Sequence, residues 1–353
     1  MVAPKHRIDY IDGLRAVAVL AVIGAHTIWF GGAHGVDLFF VISGFCLSYP
    51  TLLKLKETGR SDFNLIDYGI KRIVRIVPPY WSAIALLVVV YLIATALRFR
   101  MPWPEMLPYG FSWQEVAKQA FFIDKHTSFL NGSFWTLSIE FRWYFIFPVA
   151  LWLWIRKPLW FVALALLSIP IGLIFDAKTN LGLIDPLVLP AFLLGIVAAH
   201  VQVRNVKAVQ VAALPVGVIL LTITLLFPQP RVGSPICYLC AFSFVVASGY
   251  YGFLARLLSI RIIALIGLAS YSIYLIHEPV IAILGRLGVW VYPCALVSVL
   301  IAFAFWWVAE RPFVSGPIRR KLIGALTGLV AATRKVIIPF SAIVALESKP
   351  KTL

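Results

Sequence analysis

The feature that most constrains this chain is a succession of apolar runs, several reaching the roughly 18 to 20 residues that a helix needs to cross the hydrocarbon core of a bilayer. The 353 residues are 61% hydrophobic and 13% charged, against about 25% charged in an ordinary soluble domain. Such a chain cannot build a water-facing surface, so the bilayer is its solvent. The expected fold is all-α: a polytopic integral membrane protein of about ten transmembrane helices.

Pro, Gly and charged residues punctuate the runs and place helices near 13–29, 35–53, 78–97, 133–154, 158–175, 182–203, 208–227, 234–255, 261–284 and 291–309. Residues 1–320 form the membrane domain, and 321–353 a basic tail. The stretch 322–346 is apolar but split by Arg334 and Lys335, which favours an interfacial helix over another span. Alternate loops carry Lys and Arg in a ratio of roughly three to one, so the positive-inside rule puts both termini in the cytoplasm. Lys5 and Arg7 before the first run invite a signal-peptide reading. Arg15 and His26 inside that run, and the lack of a small-x-small cleavage site, favour a retained helix.

The net charge of +16 does not point to nucleic acid, because the basic residues are scattered between apolar runs and form no stripe with interleaved aromatics. Anionic lipid headgroups are their natural partners. The four cysteines, Cys46, Cys237, Cys240 and Cys294, lie inside apolar segments. Cys237 and Cys240 have half-site spacing for zinc or redox chemistry, but no second pair and no histidine nearby in sequence completes it. They read as small buried residues, and no metal is expected. The external loop 98–132 is rich in aromatic residues and prolines, including Trp103, Pro104, Tyr109 and Trp113. It suits either a sugar-docking surface or an interfacial aromatic belt.

Ionisable groups within spans are costly and usually mark a site or a paired lock. Here they are Arg15, His26, Asp37, Glu140, Arg142, Asp185, His200, His277, Glu278 and Glu310. Arg15 and His26 lie eleven residues apart on one helix, about 20° from eclipsed and about 16.5 Å apart along the axis. One face thus carries a cation near the cytoplasmic end and an imidazole farther out. A phosphate-bearing donor with a long flexible arm, such as coenzyme A, fits that separation; a snorkelling Arg15 and a structural His26 are the alternative. Glu140 and His277 fall at a depth similar to His26, so a carboxylate and two imidazoles are expected to meet in the outer half, where the carboxylate would tune a general base. Arg72 and Arg75, three residues apart before the third run, share a helical face and form a fork for phosphate, though basic residues there also serve topology.

Six segments in order then carry a family resemblance: YIDGLRAVAVLAVIGAH, GVDLFFVISGF, RIVRIVPPY, SFWTLSIEFRWYFIFP, ASYSIYLIHEPV and VAERPF, together spanning residues 9 to 313. The chain resembles the membrane-bound acyltransferase family 3, which includes O-acetyltransferases of bacterial surface glycans. The resemblance implies a multi-pass enzyme of the bacterial inner membrane that moves an acyl group, usually acetyl, from cytoplasmic acyl-CoA to a hydroxyl of a cell-surface or lipid-linked glycan. No permanently bound cofactor is implied. His26 matches the family's essential histidine, Arg15 the arginine of the same motif, and Arg72 and Arg75 the pair implicated in binding the CoA phosphates. Glu140 matches a motif carboxylate, with Thr136 where serine is more usual. Asp37, Ser43, Tyr271, Tyr274 and His277 are motif residues that serve either the site or helix packing. Some relatives carry an added hydrolase-like domain. A chain ending where this one does is expected to hand the group directly to its acceptor or to use a separate extracytoplasmic transferase protein.

His26 suits two roles, base or transient acyl carrier. Two rivals from other classes stand beside the enzyme: a secondary transporter or flippase, which predicts an inverted repeat that is not detected, and a non-enzymatic membrane anchor.

Overall fold

The computed structural model describes residues 8–28, 34–60, 63–98, 111–123, 130–176, 186–227 and 234–333. Every regular element among them is a helix. In chain order these are α1 (Asp9–Thr27), α2 (Gly35–Thr58), α3 (Leu65–Ala96), a short α4 (Trp113–Ala120), α5 (Phe134–Arg156), α6 (Pro158–Asp176), α7 (Leu189–Arg204) and α8 (Lys207–Leu226). They continue with α9 (Pro235–Tyr250), α10 (Gly252–Leu258), α11 (Arg261–Leu268), α12 (Ser270–Arg286), α13 (Val291–Phe305), α14 (Arg311–Val314) and α15 (Pro317–Thr333).

Among the described residues each of the ten apolar runs contributes a helix, but five helices are long and apolar enough to cross a bilayer, and seven if each bent pair is one span. Length and charge account for the difference from ten. Glu140 and Arg142 interrupt α5, while α6 and α7 enter as shorter apolar helices. Two runs bend sharply: α9 meets α10 at 101°, and α11 meets α12 at 72°. Helix α3 begins well before the expected position 78 and runs through Pro78 and Pro79, because a proline removes one donor and need not end a helix held by its neighbours. Several apolar helices together make this a multi-pass membrane protein.

The packed interior lies around α1, α2, α7 and α9. Small residues let these backbones touch. A Cβ on Gly44 would lie 2.1 Å from the Phe192 carbonyl oxygen, and one on Gly195 would lie 2.2 Å from that of Val41. A Cβ on Gly35 would sit 2.3 Å from the Ala18 carbonyl, so α1 and α2 are equally close. Without a hydrophobic force between helices in lipid, such close approach is what binds them. The outer helices instead expose Leu166 on α6, Leu226 on α8 and Leu296 on α13, as lipid-facing surfaces should.

Helix α4 is pinned onto α3 by Tyr80 and Trp81, which donate to the carbonyls of Gln119 and Ala120. Trp113 on α4 is exposed. Trp103, Pro104, Tyr109, Asp185, Arg334 and Lys335 lie outside the described residues. Helix α15 packs beside α3 and α14.

Candidate functional site

A cavity of about 90 Å³ opens between α1, α2, α3, α5 and α12. Arg15, Arg72 and Arg75 converge on it, together with Ser43, Glu140 and Tyr271. Three guanidiniums from two separate helices therefore meet in one partly buried space.

Each arginine is held differently. Arg15 donates to Asp12 at 2.8 Å, one turn earlier, and approaches the Cys46 sulfur at 3.3 Å. It faces inward rather than snorkelling. The Arg72 guanidinium lies between the rings of Tyr68 and Tyr144, 5.7 and 6.0 Å from their centroids, an arrangement of cation–π type. Its Nε is buried and makes no hydrogen bond among the described residues. Arg75 lies within the electrostatic reach of Arg15, Arg72 and Glu310. Like charges gathered in a low-dielectric space repel, so this cluster is suited to an anion of several charges, and guanidinium forks match phosphate oxygens.

The break between α11 and α12 adds to this. Ser270 and Tyr271 open α12 and line the cavity, so the positive end of that helix faces the same space. Tyr271 donates to the Ile76 carbonyl at 3.0 Å, tying α12 to α3 beside Arg75. Behind it the chain widens into a π turn over Trp306–Glu310. The buried Glu310 carboxylate accepts from the backbone N–H and hydroxyl of Ser272, at 3.1 and 2.6 Å. One carboxylate thus satisfies the start of α12 and offsets part of the arginine charge.

Glu140 does not join the imidazoles in the way its depth suggested. It turns into the arginine cavity, where one carboxylate oxygen accepts from Ser43 and from Tyr144, the latter at 2.6 Å. Depth along a helix was legible, but the direction of the side chain around it was decided by α2 packing against α5.

The two histidines do meet. The rings of His26 and His277 stand edge to face with centroids 5.1 Å apart. His277 is fully buried, and its Nδ1 lies 3.1 and 2.9 Å from the carbonyls of Ile273 and Tyr274. A carbonyl only accepts, so Nδ1 carries the proton and Nε2 presents a lone pair. That Nε2 is buried with no hydrogen-bond partner among the described residues. His26 itself is exposed. Tyr274 joins the two regions: it lines the cavity, bonds Thr136 at 2.6 Å, and its ring centroid is 5.7 Å from that of His277. The cavity therefore ends two ring contacts short of His26.

Asp37 takes no part in the cavity. Its carboxylate lies 2.9 Å from His34 Nδ1, on another face of α2 from Ser43. That hydrogen bond pushes the His34 imidazole up to about 10.

Tyr144, Thr136 and Cys46 are cavity residues beyond those that sequence reasoning singled out for the site. Tyr144 had a signal, since it stands four residues after Glu140, the spacing at which helical side chains meet. Cys46 had none, because its role depends on α1 and α2 lying together.

These segments coincide with a known pattern: the family model described as an acyltransferase domain matches residues 8–311. The chain belongs to the acyltransferase 3 family. The similar proteins include the O-acetyltransferase OatA of Staphylococcus aureus (strain NCTC 8325 / PS 47), 24% identical over 91% of this chain and 58% of the relative. Another is the putative O-acetyltransferase SACOL0978 of S. aureus (strain COL), 28% identical over 90% of this chain and 58% of the relative. The chain thus spans 58% of the length of these curated relatives. No solved structure matches. In this chain the fold brings the arginine cavity and the histidine pair towards one another, with Tyr274 between them.

Proposed function

We propose that this chain is an O-acyltransferase of the bacterial cytoplasmic membrane, taking an acyl group, in the first instance acetyl, from cytoplasmic acyl-CoA to a hydroxyl of a surface or lipid-linked glycan. In this reading all ten apolar runs cross the bilayer and both termini are cytoplasmic. Arg15, Arg72 and Arg75 hold the CoA phosphates, with the start of α12 as a further anion-binding element. The pantetheine arm runs past Tyr271 and Tyr274, bringing the thioester to His26. The acceptor hydroxyl approaches from the other side, where His26 is exposed.

His26 takes the proton from that hydroxyl as its oxygen attacks the thioester carbonyl. The C–S bond then breaks, and the CoA thiolate leaves and recovers a proton from His26. The adjacent His277, with an unprotonated Nε2, is a second base that favours proton transfer over a stable acyl-imidazole. Glu140, held by Ser43 and Tyr144, positions the cavity wall. The acceptor receives the group directly or through a separate extracytoplasmic protein.

The observation that carries this reading is the convergence of three guanidiniums on one cavity whose far wall, Tyr274, touches the histidine pair. The test is mass spectrometry of surface glycans from a deletion strain complemented with wild type or His26→Ala. Acyl groups are expected with wild type alone; identical acylation in both complemented strains would overturn the proposal. Trapping of labelled acyl-His26 from acetyl-CoA without acceptor would replace the base with a covalent relay.

A further inference from the structure

The strongest cluster outside the cavity is His34, Asp37 and Cys237. His34 caps the start of α2 and Asp37 lies in its first turn, three residues on, so the two share a face. Cys237 is the third residue of α9, which begins with Pro235. One donor atom from each residue lies within 4.8 Å of the other two. The His34 side chain is 22% exposed and that of Asp37 is fully buried, while Cys237 as a residue is 5% exposed.

We propose that these three side chains form a binding site for a borderline-soft divalent transition-metal ion, Zn²⁺ foremost. The donors converge on a point. One nitrogen, one oxygen and one sulfur lie within 4.8 Å of one another, as a shared ion requires. Around a tetrahedral ion with ligand bonds of about 2.0 to 2.3 Å, ligand atoms stand roughly 3.3 to 3.7 Å apart, so shifts of the order of 1 Å close the site.

The donor set selects the ion. Calcium and magnesium take oxygen ligands, whereas thiolate with imidazole suits zinc and its neighbours. Charge agrees as well. The carboxylate and the thiolate each lie in the first turn of a helix, where the positive end stabilises an anion. A divalent ion with these two anions and a neutral imidazole is electrically neutral, which removes the cost of a net charge at a bilayer-bounded site. On binding, the thiol and the imidazolium release their protons to water as metal bonds form. Three protein ligands leave a fourth position on the exposed side of His34 for water or another ligand.

The site ties the start of α2 to the start of α9. It is separate from the acyl-transfer reading, because the residues of α2 that line the cavity include Val36, Phe39, Phe40 and Ser43, not Asp37.

The test uses the full chain in detergent, stripped with a chelator, then given Zn²⁺ alone or Co²⁺ alone. One zinc per chain is expected after desalting, with a thiolate-to-cobalt charge-transfer band in the near ultraviolet. Cys237→Ser, His34→Ala and Asp37→Asn should each weaken zinc binding by at least about tenfold. Cys240→Ser, one turn further along α9, should bind as wild type. The wild-type chain alone gives a second measurement, since zinc should slow maleimide labelling of Cys237, read by peptide mass spectrometry. Wild type retaining no more zinc than Cys237→Ser, a cobalt–thiolate band surviving in Cys237→Ser, or unchanged labelling of Cys237 with saturating zinc would each overturn the proposal.

Discussion

The two ends of the polar path through this molecule are built on opposite plans. The arginine cavity is distributed: three cations come from α1 and α3, and Ser43, Glu140, Tyr144, Tyr271 and Glu310 brace its walls or temper its charge. The histidine end is spare. One exposed imidazole stands against one buried imidazole, whose hydrogen bonds among the described residues go to backbone carbonyls. On the proposed function, the difference means that donor binding is shared among many groups, whereas the reacting position is concentrated in one. Loss at the first end should be graded, and loss at the second abrupt.

The sharpest test of this contrast is His26→Ala. Removing a general base is expected to lower kcat by about 10² to 10⁴-fold while the KM for acetyl-CoA stays within a few-fold, measured as acetyl transfer by reconstituted protein. A KM effect without a kcat effect would break the contrast outright. Arg75→Ala comes next. Losing one charge-assisted contact to phosphate, worth about 1.5 to 3 kcal/mol, should weaken acetyl-CoA binding by roughly 10 to 100-fold, read by equilibrium binding to purified protein. Arg72→Ala should fall in the same range, and unchanged binding in both variants would remove the phosphate role.

His277→Phe keeps ring volume and removes the lone pair. A fall in kcat of about tenfold with little change in binding is expected if the second imidazole assists proton transfer. No change in kcat would mean that it only packs against His26. The smallest effect is expected of Tyr144→Phe, because Glu140 keeps its bond from Ser43. The loss is about 0.5 to 1.5 kcal/mol and shows as a modest fall in thermal stability or in donor affinity. A larger collapse would mean that the cavity is less redundant than its hydrogen bonds indicate.

The legibility of these features in the sequence follows their range. Arg15, Arg72 and Arg75 were readable because polar residues in an apolar run or at its basic edge stand out, but their convergence depends on α1 and α3 both packing against α12, which no local pattern announces. His26 and His277 were readable as a pair by depth, since helix rise converts position in the chain into height in the membrane. Rotation about the helix axis was not readable in the same way. Glu140 has the expected height but faces the arginines, and Asp37 has the expected motif but faces His34. The bends at α9–α10 and α11–α12 were hidden because apolar composition continues across them. His34 was unremarkable in sequence, since its partner Cys237 lies two hundred residues away.

The glycine contact between α2 and α7 bears on how such a machine can move. Gly44 follows Ser43 directly, yet on α2 it meets the backbone of α7 where Ser43 faces the cavity. A helix seated so closely on its neighbour cannot swing by itself without opening a gap along the seam. Helix α11 is seated as tightly across the cavity, since a Cβ on Gly267 would lie 1.7 Å from the Asp12 carbonyl oxygen of α1, so on the proposed function a donor must slip between two fixed jambs, by side-chain movement and not by a swing of either backbone.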